Sequence, residues 1–149
     1  QKRLHKEPGK GNTRRTSDIF EMATAILFQS SAQNFALTPR NLTEQPQFEI
    51  DFMKQVPTTW DETRFIDGYP GKYVIMARRA GNKWYVAGIN AQQQPLETTI
   101  QLPMFSQGSQ LTVYSDDTQL EGSMKNIQHD KKQQITITIP QNGGIIITQ

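Results

Sequence analysis

Two pairs of adjacent carboxylates are the side chains of this chain best suited to acid–base chemistry. Asp61 and Glu62 lie in a polar stretch, and Asp116 and Asp117 lie in the run YSDDTQ. Neighbouring residues of an extended segment point to opposite faces, so Asp61 and Glu62 cannot easily flank one bond. We expect Asp61 to cap a turn or to pair with Arg64. The second pair is typical of a turn after a strand, and two aspartates without a further ligand series are a weak metal signal.

Histidine and cysteine offer no further site. His5 and His129 are the only histidines, and the chain has no cysteine. Neither histidine has a partner at metal-ligand spacing. His129 stands in the polar run NIQHDKK, so we expect it at the surface. Residues 9–11 read Gly-Lys-Gly but lack the spacing and the preceding strand of a phosphate loop. We therefore assign no catalytic and no metal-binding residue in this chain.

A group of aromatic residues could form a platform for a sugar ring, because an aromatic face packs on the apolar face of a pyranose. The group consists of Trp60, Tyr69, Tyr73, Trp84 and Tyr85. The alternative is core packing: Trp84 and Tyr85 are neighbours in a strand-like run, so one of them faces inward, and large aromatics dominate small β cores. We favour core packing, leave sugar-binding residues unassigned, and keep a non-catalytic carbohydrate-binding β module as an alternative function.

Composition restricts the partners. The net charge of +2 creates no global field for nucleic acid. No apolar run approaches the roughly 20 residues that span a bilayer, and the N-terminal residues lack the apolar core of a signal peptide. Residues 1–15 form a polar basic loop with six Lys or Arg side chains. They contain no aromatic residue for base stacking, so we interpret them as solvated. A hydrophobic content of 35% is low for a self-sufficient protein. Because the sequence has no initiator methionine, we expect a chain that is processed, truncated or the ordered remnant of something larger.

Helical spacing is confined to the first third of the chain. Ser17 or Asp18 opens a helix, and Asp18 with Glu21 fits a capping box. Residues 35–37 (Phe-Ala-Leu) predict one brief buried strand. Residues 45–56 fit either a helix or an alternating strand, and we favour a helix that ends before a proline.

Beyond residue 72 the helical period vanishes and short strand-like runs take over. The first two runs flank a Gly/Asn turn and predict a hairpin. We predict strands at residues 73–79, 84–90, 96–102, 111–115, 135–139 and 145–148. The fold class is therefore mainly β with an N-terminal α/β fragment, in which residues 16–56 look like the tail of an α/β layer and residues 57–149 form a small antiparallel β domain.

Residues 57–90 also carry a resemblance to a known family. They show a Pro-Thr-x-Trp-Asp-Glu-Thr entry, two spaced glycines before a Tyr, an Ala-Arg-Arg strand end, and then Trp-Tyr-Val and Gly. These are Pro57, Thr58, residues 60–63, Gly68, Gly71, Tyr73, residues 77–79, residues 84–86 and Gly88. In this order they resemble the junction and first hairpin of the C-terminal domain of glycoside hydrolase family 97. The resemblance to this family covers about residues 13–149 and is strongest over residues 57–90.

The resemblance implies a parent enzyme with a (β/α)8 barrel, of which residues 16–56 would be the end, followed by an antiparallel β-sandwich-like domain. Similar proteins hydrolyse α-glucosidic or α-galactosidic bonds in oligosaccharides, with catalytic glutamates and calcium ligands upstream of everything present here. They are typically exported to the bacterial periplasm. The segment itself would then be non-catalytic, and would either pack against the barrel or mediate homo-oligomers.

Overall fold

The structure is a computed structural model that describes residues 14–28 and 30–149. Nearly all of the expected basic loop, including His5, lies outside these residues, so those predictions are not addressed. The described residues form three helices: α1 (Asp18–Leu27), α2 (Asn41–Glu44) and α3 (Gln47–Gln55). Eight strands follow: β1 (Glu62–Tyr69), β2 (Tyr73–Ala80), β3 (Lys83–Asn90), β4 (Leu96–Gln101), β5 (Gln110–Asp116), β6 (Gly122–Gln128), β7 (Gln134–Ile139) and β8 (Gly144–Thr148).

The strands form two antiparallel sheets. Six strands pair in the order β1-β2-β3-β8-β5-β6, and β4 pairs with β7. The two sheets enclose the main core, because strict alternation places one side of each strand inward. Its buried members are Ile75, Ala77, Val86, Ile100, Leu102, Phe105, Leu111, Val113, Ile137, Ile139, Ile145 and Ile147. The predicted β-sandwich architecture is confirmed.

The helices cover the other face of the six-stranded sheet. Helix α1 packs mainly on β3 and β8, and α3 lies beside it. Their shared core consists of Ile19, Met22, Ala23, Ile26, Leu27, Phe52, Tyr85, Ala87 and Ile146. A helix with such a wide apolar face is stable only where another surface covers it. The structure therefore has three layers: helices, large sheet and small sheet.

Helix α1 begins as predicted, but its cap is Ser17 alone. Ser17 has extended backbone angles, and its Oγ accepts the N–H of Phe20 at 2.8 Å. This is the geometry of an N-cap, whereas Asp18 is already helical. Glu21 does not close a capping box on Asp18; its carboxylate accepts a hydrogen bond from Thr16 instead.

The strand predicted at residues 35–37 is wrong. These residues are irregular, and Leu37 is 38% exposed. A strand needs a neighbour for its backbone groups, and the described part of the chain pairs no segment with this one. The favoured helix at residues 45–56 is confirmed as α3. That residues 16–56 form the end of a barrel stays a prediction.

The sequence patterns missed two strands, β1 and β6. Both are edge strands of the large sheet, and most of their side chains are partly or fully exposed. Neither therefore alternates apolar and polar residues. The polar stretch before residue 73, which contains Asp61 and Glu62, is largely β1.

Candidate functional site

Strand β1 contains a bulge that controls which way its side chains point. Phe65 pairs with Met76 on β2, but the next pair in register is Asp67 with Ile75, so Ile66 is the extra residue. A bulge reverses the alternation of the strand beyond it. The side chains of Arg64 and Asp67, three positions apart, consequently both lie on the side of β1 that faces the small sheet.

An apolar groove lies on the helix side of β1 at the exposed edge of the large sheet. We call it the β1 groove; it encloses about 400 Å³ and its apolar lining includes Phe65, Tyr69, Pro70, Val74, Ile89 and Ala91. Phe65 and Tyr69 are 63% and 59% exposed. An added Cβ at Gly68 would lie 3.2 Å from the Phe65 ring, so a glycine lets this ring lie close over the strand. The groove is an open apolar surface with two projecting rings.

Polar groups that line the β1 groove have partners within the chain, and one partner, Asp67, lies outside the groove. Tyr73 Oη donates to Asp67 Oδ2 at 3.2 Å, and the Gly68 N–H donates to Asp67 Oδ1 at 2.8 Å. Burial and the neighbouring carboxylate together raise the pKa of the Tyr73 phenol. Lys72 Nζ lies 4.5 Å from the centre of the Tyr69 ring in a cation–π contact. These contacts leave the centre of the groove apolar.

Of the aromatic residues considered as a sugar platform, Trp60, Trp84 and Tyr85 are covered by neighbouring side chains, whereas Tyr69 is exposed in the β1 groove. Tyr85 is 5% exposed in the helix-side core, where the Trp60 ring meets it edge-on at 5.5 Å. The Trp84 ring carries the Arg64 guanidinium 4.7 Å from its centre and that of Arg79 at 5.9 Å. Tyr85 is therefore buried in the helix-side core, whereas Trp84 is partly buried against the main core between the sheets and stacks on arginines of its own chain.

The Asp61–Glu62 pair holds the first hairpin together. Asp61 Oδ2 accepts the Gly81 N–H in the β2–β3 turn at 2.7 Å, as the turn-cap interpretation predicted. Its charged neighbour is Arg79, at 3.6 Å, and not Arg64. Glu62 instead pairs with Arg64 at 2.7 Å and Arg79 at 3.3 Å. Its hydrogen bond with Arg64, the largest influence, and that with Arg79 lower the pKa of Glu62, which disfavours the protonated form that a general acid needs.

Asp116 and Asp117 have separate roles. Asp117 Oδ1 accepts two turn N–H groups, as predicted. Asp116 is not a turn residue: it ends β5 and is only 8% exposed. Its Oδ2 accepts the Ser17 hydroxyl and, at 2.7 Å, the Gly144 N–H. Burial raises the pKa of Asp116 although both hydrogen bonds oppose that change. Among the described residues, no group of three or more histidine or acidic side chains could hold a metal ion.

The prediction that His129 lies at the surface is wrong. The residue is 2% exposed, and its Nε2 lies 3.2 Å from the Leu102 carbonyl oxygen. The ring also stands edge-on to Phe105. The backbone N–H of His129 bonds to the Ser109 carbonyl, which draws the loop inward while the charged residues after it face solvent. No pattern in the local sequence carries this information.

Comparison with known proteins gives a consistent result. A family described as "Glycosyl-hydrolase 97 C-terminal, oligomerisation" matches residues 59–148. A retaining alpha-galactosidase from Bacteroides thetaiotaomicron is 38% identical over 69 residues, which are 46% of this chain and 10% of that protein. A probable retaining alpha-galactosidase from Streptomyces bingchenggensis is 36% identical over 72 residues, or 48% of this chain and 11% of that protein. The chain thus spans about a tenth of these relatives.

Two solved structures have the same fold as this chain. A beta-arabinopyranosidase superposes with a TM-score of 0.93 and 46% identity, covering 99% of this chain and 23% of that one. A glycoside hydrolase family 97 enzyme from Pseudoalteromonas sp. strain K8, in complex with acarbose, has a TM-score of 0.77 at 23% identity, covering 89% and 22%. No helix among the described residues is long and apolar enough to cross a membrane. Since the family match takes in more than half of the sequence, the chain belongs to the glycosyl-hydrolase 97 C-terminal, oligomerisation family.

Proposed function

We propose that this chain is the C-terminal, oligomer-forming region of a glycoside hydrolase that cleaves α-galactosidic or α-glucosidic bonds. The observation that carries the proposal is the ordered family match over residues 59–148. The two relatives named as retaining alpha-galactosidases, one of them probable, support the galactosidic bond. In this proposal the oligosaccharide is bound and cleaved by the remainder of the enzyme.

Three of the carboxylates considered for acid–base chemistry support placing that chemistry outside this region. Asp61 and Glu62 share Arg79, and Asp116 bonds to Ser17 and to the β8 backbone. Each is held in a structural contact, whereas glycosidase carboxylates face each other across a substrate about 5–9.5 Å apart. We extend the proposal to a (β/α)8 catalytic barrel, a calcium ion bound there and export to the periplasm. The described residues offer no ligand group for that ion.

A second substrate deserves a parallel test. The beta-arabinopyranosidase matches 99% of this chain at 46% identity. An arabinopyranose lacks the hydroxymethyl group that a galactopyranose carries at C5, so two substrates separate the two activities. This candidate concerns the specificity of the remainder of the enzyme and leaves the role of the present region unchanged.

The deciding experiment assays the intact protein on aryl α-galactoside, aryl α-glucoside and aryl β-arabinopyranoside. We expect turnover of at least one substrate, and loss of turnover with a calcium chelator that added calcium restores. Residues 14–149 purified alone should give no turnover. An intact protein that is inert on all three substrates with calcium present would contradict the proposed activity.

A further inference from the structure

We infer that the β1 groove is the surface on which a second copy of this chain packs, with Phe65 of each copy seated in the groove of the other. The inference rests on the proposed oligomer-forming role and names the surface that performs it. A second copy is the occupant because the matched family is described by oligomerisation.

The distribution of exposed apolar side chains locates this surface. Among the described residues, the large exposed ones are Phe28, Leu37, Leu42, Phe65, Tyr69 and Met124. The first three precede the segment that the oligomerisation family matches, which begins at residue 59. Within that segment, Phe65 and Tyr69 both belong to β1 and both line the groove, whereas Met124 lies on β6 at the opposite edge of the sheet. The groove, with these two exposed rings, is therefore the stronger candidate.

The shape of the surface suits a two-fold dimer. A two-fold interface must be complementary to itself, because each copy presents the same patch. Here a projecting ring, Phe65, and a concave apolar groove occur on one patch. A rotation that places one ring in the partner's groove places the other ring in the first groove as well. The contact closes on itself and does not continue into a filament.

The charges around the groove permit it to be desolvated. Among the described residues, Lys72 is the only charged one that lines it, and its ammonium group lies over the Tyr69 ring. The Tyr73 hydroxyl, another polar side-chain group in the lining, already donates a hydrogen bond to Asp67, which lies on the small-sheet side of β1. Burying an unpaired charge is expensive, whereas covering a side chain that has its partner within its own chain is much less so. The groove meets this requirement.

The same geometry argues against extension of the sheet by simple strand pairing. The bulge at Ile66 interrupts the outer edge of β1, and Pro70, just beyond its end, has no N–H to donate. Bulges and prolines are the features that prevent edge-to-edge pairing. The second copy is therefore held by side-chain packing in the groove.

The test measures the mass of the intact protein by light scattering after size exclusion, over a dilution series. Phe65→Asp removes the projecting ring, and Ala91→Arg fills the groove while leaving that ring in place. Each should raise the dimer dissociation constant by about thirtyfold or more, the effect of losing a central interface residue. Met124→Asp is the matched control, since it adds the same charge to an exposed apolar position on the opposite edge, and it should leave the constant unchanged. All three positions are exposed, so unchanged thermal unfolding will show that each variant is folded.

The outcomes of this test distinguish failure of the proposed interface surface from failure of the proposed oligomer-forming function. A wild-type protein that is monomeric at every concentration overturns the oligomer-forming function, and the surface with it. A wild-type oligomer that both Phe65→Asp and Ala91→Arg leave intact overturns the surface alone. Equal weakening by Met124→Asp also overturns it, because the loss would then follow added charge at any edge. Weakening by only one of the two groove variants contradicts the ring-in-groove arrangement.

Discussion

The hydroxyl of Ser17 donates a hydrogen bond to the carboxylate of Asp116, which lies 99 positions further along the chain. The same Ser17 Oγ caps helix α1, and the same carboxylate oxygen accepts the Gly144 N–H that opens β8. One buried side chain thus joins the helical segment to two central strands. This contact is the clearest polar connection between the helices and the β domain.

Replacing Asp116 with alanine should destabilise the fold. The substitution leaves the Ser17 hydroxyl and the Gly144 N–H without their acceptor, and a buried unsatisfied donor costs about 1–3 kcal/mol. We expect the free energy of unfolding to fall by about 2 kcal/mol or more. The measurement is urea denaturation followed by circular dichroism. Asp51→Ala, which removes an exposed carboxylate from α3, is the control and should change stability by only a few tenths of a kcal/mol. Equal effects of the two substitutions would show that Asp116 has no special role.

Stability should also depend on pH through Asp116. Burial raises its pKa above the ordinary 3.8, so the folded state binds the proton more tightly than the unfolded chain does. Stability therefore falls as pH rises from near 3.8 through the folded pKa. The urea midpoint of the wild type should decline relative to Asp116→Asn over that range. Glu62, whose pKa is lowered from 4.5 chiefly by its hydrogen bond with Arg64, gives the opposite sign: relative to Glu62→Gln, the wild type loses stability as pH falls through and below 4.5. Parallel curves for wild type and Asp116→Asn would contradict the assignment.

Gly144 is required because α1 passes directly over it. A Cβ at this position would lie 2.7 Å from Phe20 Cα and N, and 2.8 Å from the Ile19 carbonyl oxygen. These are backbone atoms, which cannot rotate away as a side-chain end would. Gly144→Ala should therefore push α1 off the sheet and cost about 2 kcal/mol or more, at the upper end of overpacking effects. Gly108→Asn is a suitable control, because nothing lies within 4 Å of a Cβ there and asparagine tolerates its positive φ of 72°. Thermal unfolding that is unchanged by Gly144→Ala would show that the helix has room to move.

Sequence periodicity predicted the helices and strands in which buried side chains recur at a regular spacing. Helices α1 and α3 and strands such as β7 repeat or alternate because one face of each is covered, whereas β8 is a short apolar run because both of its faces are buried. The side chains of edge strands β1 and β6 are not divided between a buried and an exposed face, so their sequences show no periodicity that would predict a strand. The bulge at Ile66, which sends Arg64 and Asp67 to the same side, depends on pairing with β2 and leaves no local mark. The β1 groove was therefore beyond sequence reasoning: Tyr69 and Tyr73 were among the aromatic residues considered, but Phe65 was not.

The burial of Asp116 and His129 was missed for a related reason. Both stand in polar runs whose composition is that of a solvated turn. Each is buried by a contact with a distant segment: Asp116 by the cap of α1, and His129 by the loop that carries Leu102. Such contacts are set by the topology of the sheets and not by neighbouring residues. A polar run predicts exposure on average, and tertiary packing decides the individual residue.

The position of Trp84 leads to the last prediction, which concerns carbohydrate binding by this region alone. A sugar can stack on an aromatic ring only if one face is open, and the Arg64 and Arg79 guanidinium groups lie over this ring. Glu62 bonds to both arginines and holds them there. Titration of residues 14–149 with galacto- or malto-oligosaccharides to millimolar concentration should therefore leave tryptophan fluorescence unchanged. Arg64→Ala provides the matched comparison, because it uncovers part of the Trp84 ring and should alter the intrinsic emission even without sugar. A saturable change with sugar in the wild type would restore the carbohydrate-binding module as the function of this region.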